Sequence, residues 1–182
     1  SGLLLRRPVA GFCSAVDTLR AQGRERMAVA DSIDPAARSR NMSRITGKNT
    51  GPEVLLRSFL HGRGFRFRLH GRDLPGKPDI VLRRWKVALF MDGCFWHRHE
   101  GCRYATTPSS NVEFWIPKFE ATVARDARQR AELACMGWRV AVFWACATEA
   151  NALEEWGEKL IDWIRSGGEY FETGLISRKK PI

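Results

Sequence analysis

The apolar residues of this chain change their spacing along its length, and the order of those changes allows few folds. Helical spacing holds in EVLLRSFLH, where residues 55, 56, 59 and 60 are apolar, between Gly51-Pro52 and a stop at Gly62. The spacing then falls to two. FRFRL (65–69), DIVLRR (79–84) and KVALFM (86–91) read as strands, and GRDLPGKP (71–78) reads as a turn-rich loop. Helical spacing returns over 112–136, with Pro117 expected near the helix start and Gly137 closing it. WRVAVFW (138–144) reads as a buried strand. NALEEWGEKLIDWIR (151–165) reads as an amphipathic helix with Leu153, Trp156, Leu160, Trp163 and Ile164 inward. A further helix starts at Asp34-Pro35, where Asp can cap and Pro suits the first turn, and runs through AARSRNMSRI to Gly47. The resulting order, ααβββ-loop-αβα, implies an α/β domain with a mixed central sheet flanked by helices.

A length of 182 residues suffices for a hydrophobic core without disulfide stapling. The sequence predicts a flexible extension over 1–26, with Met27 a candidate natural start, then a basic arm over 27–50, a main domain over 51–170 and a tail over 171–182. The arm carries Arg38, Arg40 and Arg44 but few apolar residues, so these arginines are expected to meet phosphates. Thirty Lys+Arg against twenty Asp+Glu give a net charge of +10, which makes nucleic acid the leading partner class. No apolar run is long enough to span a bilayer, and the short, interrupted hydrophobic stretches of the opening residues are not expected to act as a signal peptide. Five cysteines, two of them among histidines, fit a reducing compartment and metal chemistry better than a disulfide framework.

The densest chemistry lies in MDGCFWHRHEGC, residues 91–102. Zinc takes four soft or borderline ligands in a tetrahedron, and Cys94, His99 and Cys102 offer three of them within one loop. A closed site needs a fourth. Cys146 follows the strand WRVAVFW and is one candidate; Cys135 is its rival, although a small buried cysteine is ordinary in a helix. His97 is redundant as a ligand beside His99, which frees it for acid–base work. Asp79, at a strand start after a Gly/Pro loop, is a candidate ligand for Mg²⁺ and equally a candidate loop cap. Glu53 has the same ambiguity, because an acid in the first turn of a helix is favoured by the helix dipole alone. Asp92 lies within reach of the loop as a candidate partner for His97. Phe95-Trp96 and Phe114-Trp115 are aromatic pairs of a kind that usually packs as core, but in a basic protein they can also wedge between bases.

Together and in this order, LPGKPDIVL, ALFMDGCFWHRHEGC, NVEFW and GWRVAVFWAC resemble the very short patch repair (Vsr) DNA mismatch endonucleases over approximately residues 31–165, with DPAARSRNM near the start. The resemblance implies a restriction-endonuclease-like fold with a structural Zn²⁺ and a Mg²⁺-dependent active site. It implies a nick in one strand of double-stranded DNA, 5′ to the T of a T:G mismatch left by deamination of 5-methylcytosine. Carried over by position, Asp79 becomes the Mg²⁺ carboxylate, His97 the general base and Glu53 a supporting acid near the metal water. Cys94, His99, Cys102 and Cys146 become the Zn²⁺ ligands, which selects Cys146 over Cys135. Phe95, Trp96 and Trp115 match aromatics that enter the DNA stack, and Met42 matches a residue that approaches from the other groove. The resemblance further implies a bacterial, cytoplasmic and monomeric enzyme, associated with the nucleoid during repair, that meets other repair-pathway proteins.

Two departures stand out. A characterised member has Thr-His where this chain has Met91-Asp92. That threonine serves the metal partly through its backbone carbonyl, which Met91 can still supply, while Asp92 in place of that histidine is expected to alter how phosphate is held on the DNA side. One extra residue also separates His99 from Cys102. The alternatives are a related nicking endonuclease of other lesion or sequence specificity, and a zinc-containing DNA-binding module without catalysis; retention of both Asp79 and His97 argues against the latter.

Overall fold

A computed structural model describes residue 34, residues 48–149 and residues 151–174. The expectations for the N-terminal extension, the helix after Asp34, Arg38, Arg40, Met42 and Arg44 concern positions outside the described residues.

The described chain runs α1 (Gly51–Gly62), β1 (Arg68–Leu69), β2 (Ile80–Leu82), β3 (Val87–Asp92), α2 (Val112–Cys135), β4 (Arg139–Trp144), α3 (Ala152–Ser166) and β5 (Tyr170–Glu172). The strands form one sheet in sequence order, antiparallel from β1 to β3 and parallel from β3 to β5. That is the expected mixed sheet. Its geometry explains why α2 must intervene between β3 and β4, since parallel neighbours need a crossover.

Alternation sorts each strand onto two faces. Ile80, Leu82, Val87, Leu89, Ala141 and Phe143 pack with Leu56, Phe59 and Leu60 of α1 and Leu160, Ile161 and Ile164 of α3. Val81, Ala88, Val140 and Val142 face the other way, onto Leu74, Leu133 of α2, Cys94 and Cys146. Close approach of α1 and α3 depends on Gly157, where a Cβ would stand 2.4 Å from the Phe59 ring. The end of α3 is held by Arg139, whose guanidinium donates to the carbonyls of Trp163, Ile164 and Gly168 at 2.6, 2.9 and 2.6 Å.

Three local expectations change. Only Arg68–Leu69 of FRFRL joins the sheet, because Phe65 is drawn into the core and its N–H bonds the Leu60 carbonyl at 3.0 Å as the chain leaves α1. DIVLRR ends as a strand at Leu82 and continues as a 3-10 turn, Arg83–Trp85, before Lys86 in a left-handed conformation (φ 50°). Pro117 lies inside α2 rather than near its start: the N–H groups of Phe114 and Trp115 already bond the Asn111 carbonyl, so a first turn forms ahead of the proline. The Glu113 carbonyl that Pro117 cannot serve is on an exposed turn, where water can. Strand β5, which crosses the expected boundary at residue 170, had no expectation. Among the described residues, no helix is long and apolar enough to cross a membrane.

Candidate active site and metal centre

The sheet topology delivers the candidate residues to one edge. Strand β2 starts where β3 ends, and β4 runs alongside β3 until Asp92 stands opposite Trp144. Asp79 therefore precedes β2 at the same edge as Asp92 and the loop 93–102. The link is direct: the Met91 N–H donates to Asp79 Oδ2 at 2.8 Å. Three groups of ligand-type side chains gather there, each with its ligand atoms within 4.8 Å of one another.

The first group is Cys94, His99, Cys102 and Cys146, so the local triplet meets Cys146, while Cys135 is exposed on α2. Successive turns fold the loop tightly: His97 N–H bonds Gly93 O, His99 N–H bonds Cys94 O, and Cys102 N–H bonds His99 O. His99 Nδ1 lies 3.7 Å from Cys94 Sγ and 3.4 Å from Cys146 Sγ, and its ring stacks on Trp144 at 4.2 Å. The thiols compete for protons. A hydrogen bond from Cys146, outweighing burial, lowers Cys94 to about 5, and the same contact together with burial pushes Cys146 up. A set of three thiols and one imidazole, tightly grouped and largely buried, fits a closed tetrahedral Zn²⁺ site.

The second group is Glu53, His70 and Asp79. Burial pushes Asp79 up to about 6, partly offset by the Met91 N–H, with the charges of Glu53 and Asp92 adding to the rise. A divalent cation would relieve that crowding, so the oxygen donors fit a hard ion. Glu53 is buried and already engaged. It accepts from Asn49 N (3.0 Å), Thr50 N (3.4 Å), Thr50 Oγ1 (2.9 Å) and Arg57 Nη2 (2.6 Å). It thus caps α1 as well as facing Asp79.

The third group is Asp92, His97 and Asp126. His97 Nδ1 is 2.5 Å from Asp126 Oδ2 and 3.7 Å from Asp92 Oδ2. Burial opposes charge on His97, but the Asp126 hydrogen bond and both carboxylates prevail and raise its pKa. Burial would raise Asp126, yet His97 and Arg125 hold it below the usual carboxylate range. Asp92 is buried and ion-paired with Arg130, so its carboxylate faces that cation and His97 rather than open solvent.

Beside this group stands an aromatic ridge. Phe95 makes edge contacts with Trp96, Trp115 and Phe119 at 5.0–5.5 Å. Phe119 is the buried root and Phe114, 58 % exposed, the outermost ring. Lys118 Nζ lies 5.3–5.5 Å from the Trp96, Phe114 and Trp115 rings. Arg98 (φ 58°) fastens the loop by donating to Thr106 O and Thr107 Oγ1.

Sequence reasoning missed His70, Asp126 and Arg130. Asp126 and Arg130 are one helical turn apart on α2, so spacing puts them on one face; nothing in the sequence says that this face meets His97. His70 carries no local signal at all.

A family model described as "DNA mismatch endonuclease Vsr" matches residues 30–103. The chain is 48% identical over 133 residues to the Type II nicking enzyme V.XorIIP of Xanthomonas oryzae pv. oryzae, covering 72% of this chain and 97% of that protein. It is 38% identical over 143 residues to the DNA mismatch endonuclease Vsr of Escherichia coli K12, covering 77% and 91%. With the Type II nicking enzyme V.NaeI of Lentzea aerocolonigenes it shares 40% identity over 143 residues, covering 76% and 82%.

Proposed function

The chain belongs to the Vsr family of DNA endonucleases, and from that premise we propose that it nicks one strand of duplex DNA 5′ to the T of a T:G mismatch, the first step of very short patch repair. The observation that carries the hydrolytic part of this reading is the His97–Asp126 pair near Asp79, while the mismatch target rests on the likeness to the DNA mismatch endonuclease Vsr of Escherichia coli.

Hydrolysis requires a water to lose a proton as it attacks phosphorus. His97 Nδ1 is engaged by Asp126, which leaves Nε2 to accept that proton. Asp126 fixes the ring orientation and tautomer and stabilises the imidazolium as it forms. Asp79, with the Met91 carbonyl, would hold Mg²⁺, which would polarise the scissile phosphate and stabilise its developing charge. Glu53 is a supporting acid, held by its cap and by Arg57. Arg130 keeps Asp92 charge-compensated, so that a phosphate approaching His97 meets less repulsion.

Cys94, His99, Cys102 and Cys146 would hold Zn²⁺, fixing the loop that carries both His97 and the aromatic ridge. Phe95, Trp96 and Trp115 insert into the stack at the mismatch, where a poorly stacked wobble pair lowers the cost of insertion. Arg38, Arg40 and Arg44 neutralise phosphates, and Met42 enters from the opposite groove. The enzyme acts as a monomer in the bacterial cytoplasm, alongside other repair proteins.

The relatives named as Type II nicking enzymes favour one further reading: the same chemistry aimed at another lesion or sequence. Nicking rates on a panel of T:G, other mismatched and matched duplexes, in several sequence contexts with added Mg²⁺, test both. Faster nicking at T:G supports the first. Equal rates at T:G and T:A would sink it.

A further inference from the structure

His70 stands against Asp79 for a reason built into the sheet. The ladder pairs Leu69 with Ile80, so the next opposed pair is His70 and Asp79, and the His70 N–H bonds the Asp79 carbonyl at 3.1 Å. Opposed residues in an antiparallel ladder put their side chains on the same face. Gly71 N–H bonds Pro78 O at 2.9 Å and closes the loop between them, while a left-handed backbone (φ 50°) fixes the direction in which His70 leaves the strand. The result is an imidazole within 4.8 Å of the Asp79 and Glu53 carboxylates.

The three side chains differ in what they have left to offer. Both Glu53 oxygens are taken, by two backbone N–H groups, the Thr50 hydroxyl and Arg57. Asp79 Oδ2 accepts the Met91 N–H, and its Oδ1 has no partner among the described residues. The ring nitrogens of His70 likewise have no hydrogen-bond partner among the described residues, although the side chain is half-buried beside two acids. The half-buried imidazole thus stands beside both carboxylates with its ring nitrogens available as donors to a metal.

We propose that His70 supplies a nitrogen ligand to the divalent cation held by Asp79, and that this nitrogen makes the site prefer Mn²⁺ over Mg²⁺. The proposal rests on the metal role of Asp79 given above. Carboxylate and carbonyl oxygens suit Mg²⁺ and Mn²⁺ alike, whereas imidazole suits first-row transition ions and adds little for Mg²⁺. Glu53, with its oxygens engaged, contributes charge rather than a bond to the metal.

The test uses the full-length, zinc-loaded protein bound to a mismatched duplex whose scissile phosphate is blocked, with Mn²⁺ as probe. Electron spin-echo spectroscopy reads nitrogen bonded to Mn²⁺, and titration of the Mn²⁺ signal with Mg²⁺ reads preference. Wild-type protein and His97→Asn should both show coupling to one ¹⁴N. His70→Asn, chosen because asparagine tolerates φ near 50°, and His70→Gln should lose that coupling. Both should bind Mn²⁺ about tenfold more weakly, with Mg²⁺ affinity little changed. Absence of ¹⁴N coupling in the wild type, or its persistence in both His70 variants, overturns the proposal while leaving Asp79 as the metal residue. Unchanged Mn²⁺ binding by Asp79→Asn overturns the metal reading itself.

Discussion

The cysteine cluster and the two acidic clusters each gather ligand-type side chains within 4.8 Å at the same sheet edge, yet they are built on opposite plans. Three of the four residues in the cysteine cluster are buried, and its thiols and imidazole face one another under the Trp144 ring. In each acidic cluster only one of three residues is buried, and its carboxylates answer to fixed cations and N–H groups: Arg57 at Glu53, Met91 N–H at Asp79, Arg130 at Asp92 and Arg125 at Asp126. A closed donor set has no room for a substrate and can only hold shape. An open one, with its charge already partly balanced, can admit a phosphate and a water.

The sharpest way to break this contrast is to remove a donor from the closed set. Cys146→Ser is expected to lose its single equivalent of zinc and with it stable folding, because a closed zinc site contributes folding free energy directly. Cys135→Ser should keep both. Metal analysis with thermal melts decides it, and the reverse pattern would show that the ligand set is wrong.

Asp79→Asn should do the opposite: keep fold, zinc and DNA binding, and reduce Mg²⁺-dependent nicking to background. It should also change the pH dependence of stability. Asp79 is raised from 3.8 to about 6, so in zinc-loaded protein without added divalent cation the folded state favours the protonated acid. Its contribution is fully present below 3.8 and is lost as pH rises through about 6, at most roughly 3 kcal/mol. Urea midpoints from pH 4 to 7 should fall less steeply in Asp79→Asn than in wild type. Parallel curves would show that the carboxyl is not perturbed.

His97→Ala is expected to slow the chemical step by about 10²- to 10⁴-fold. Asp126→Asn should cost less and move the acid limb of the rate profile to lower pH, since Asp126 helps to raise the His97 pKa. A single-turnover pH series measures both; an unmoved limb would mean that Asp126 does not act through His97.

How much of this was legible beforehand depends on the reach of each signal. KVALFM and WRVAVFW read as strands because their apolar runs are continuous, and the helix over 151–165 read correctly because its stripe is strong. FRFRL alternates as a strand should, but one buried Phe65 withdrew most of it from the ladder. In the site, Cys94, His99 and Cys102 lie in one loop and were visible together. Asp126 sits 29 residues from His97 and is joined to it only by the packing of α2, which no local pattern encodes. His70 depends on register, and register is a property of two strands.

The smallest expected effect concerns the ridge beside the open clusters. Base–aromatic stacking is worth about 1–3 kcal/mol, so Trp96→Ala should reduce the T:G over T:A rate ratio by about tenfold. Arg44→Ala should weaken both duplexes alike and flatten the salt dependence by about one phosphate contact. Rates for both variants across a salt series make the comparison; equal loss of discrimination would return Phe95 and Trp96 to the role of ordinary core.

The parallel register that sets Asp92 opposite Trp144 also ties the cysteine cluster to the completed sheet, because it brings Cys146, two residues further on, to the loop. Cys94, His99 and Cys102 lie within one loop, whereas Cys146 reaches them only across α2 and through the pairing of β4 with β3. Zinc held by the loop alone would have three protein ligands and one open position, and is expected to exchange more readily than zinc in the completed four-ligand site. Docking of β4 on β3 would supply the fourth ligand, so the rate at which added zinc exchanges is expected to report whether this end of the sheet is assembled.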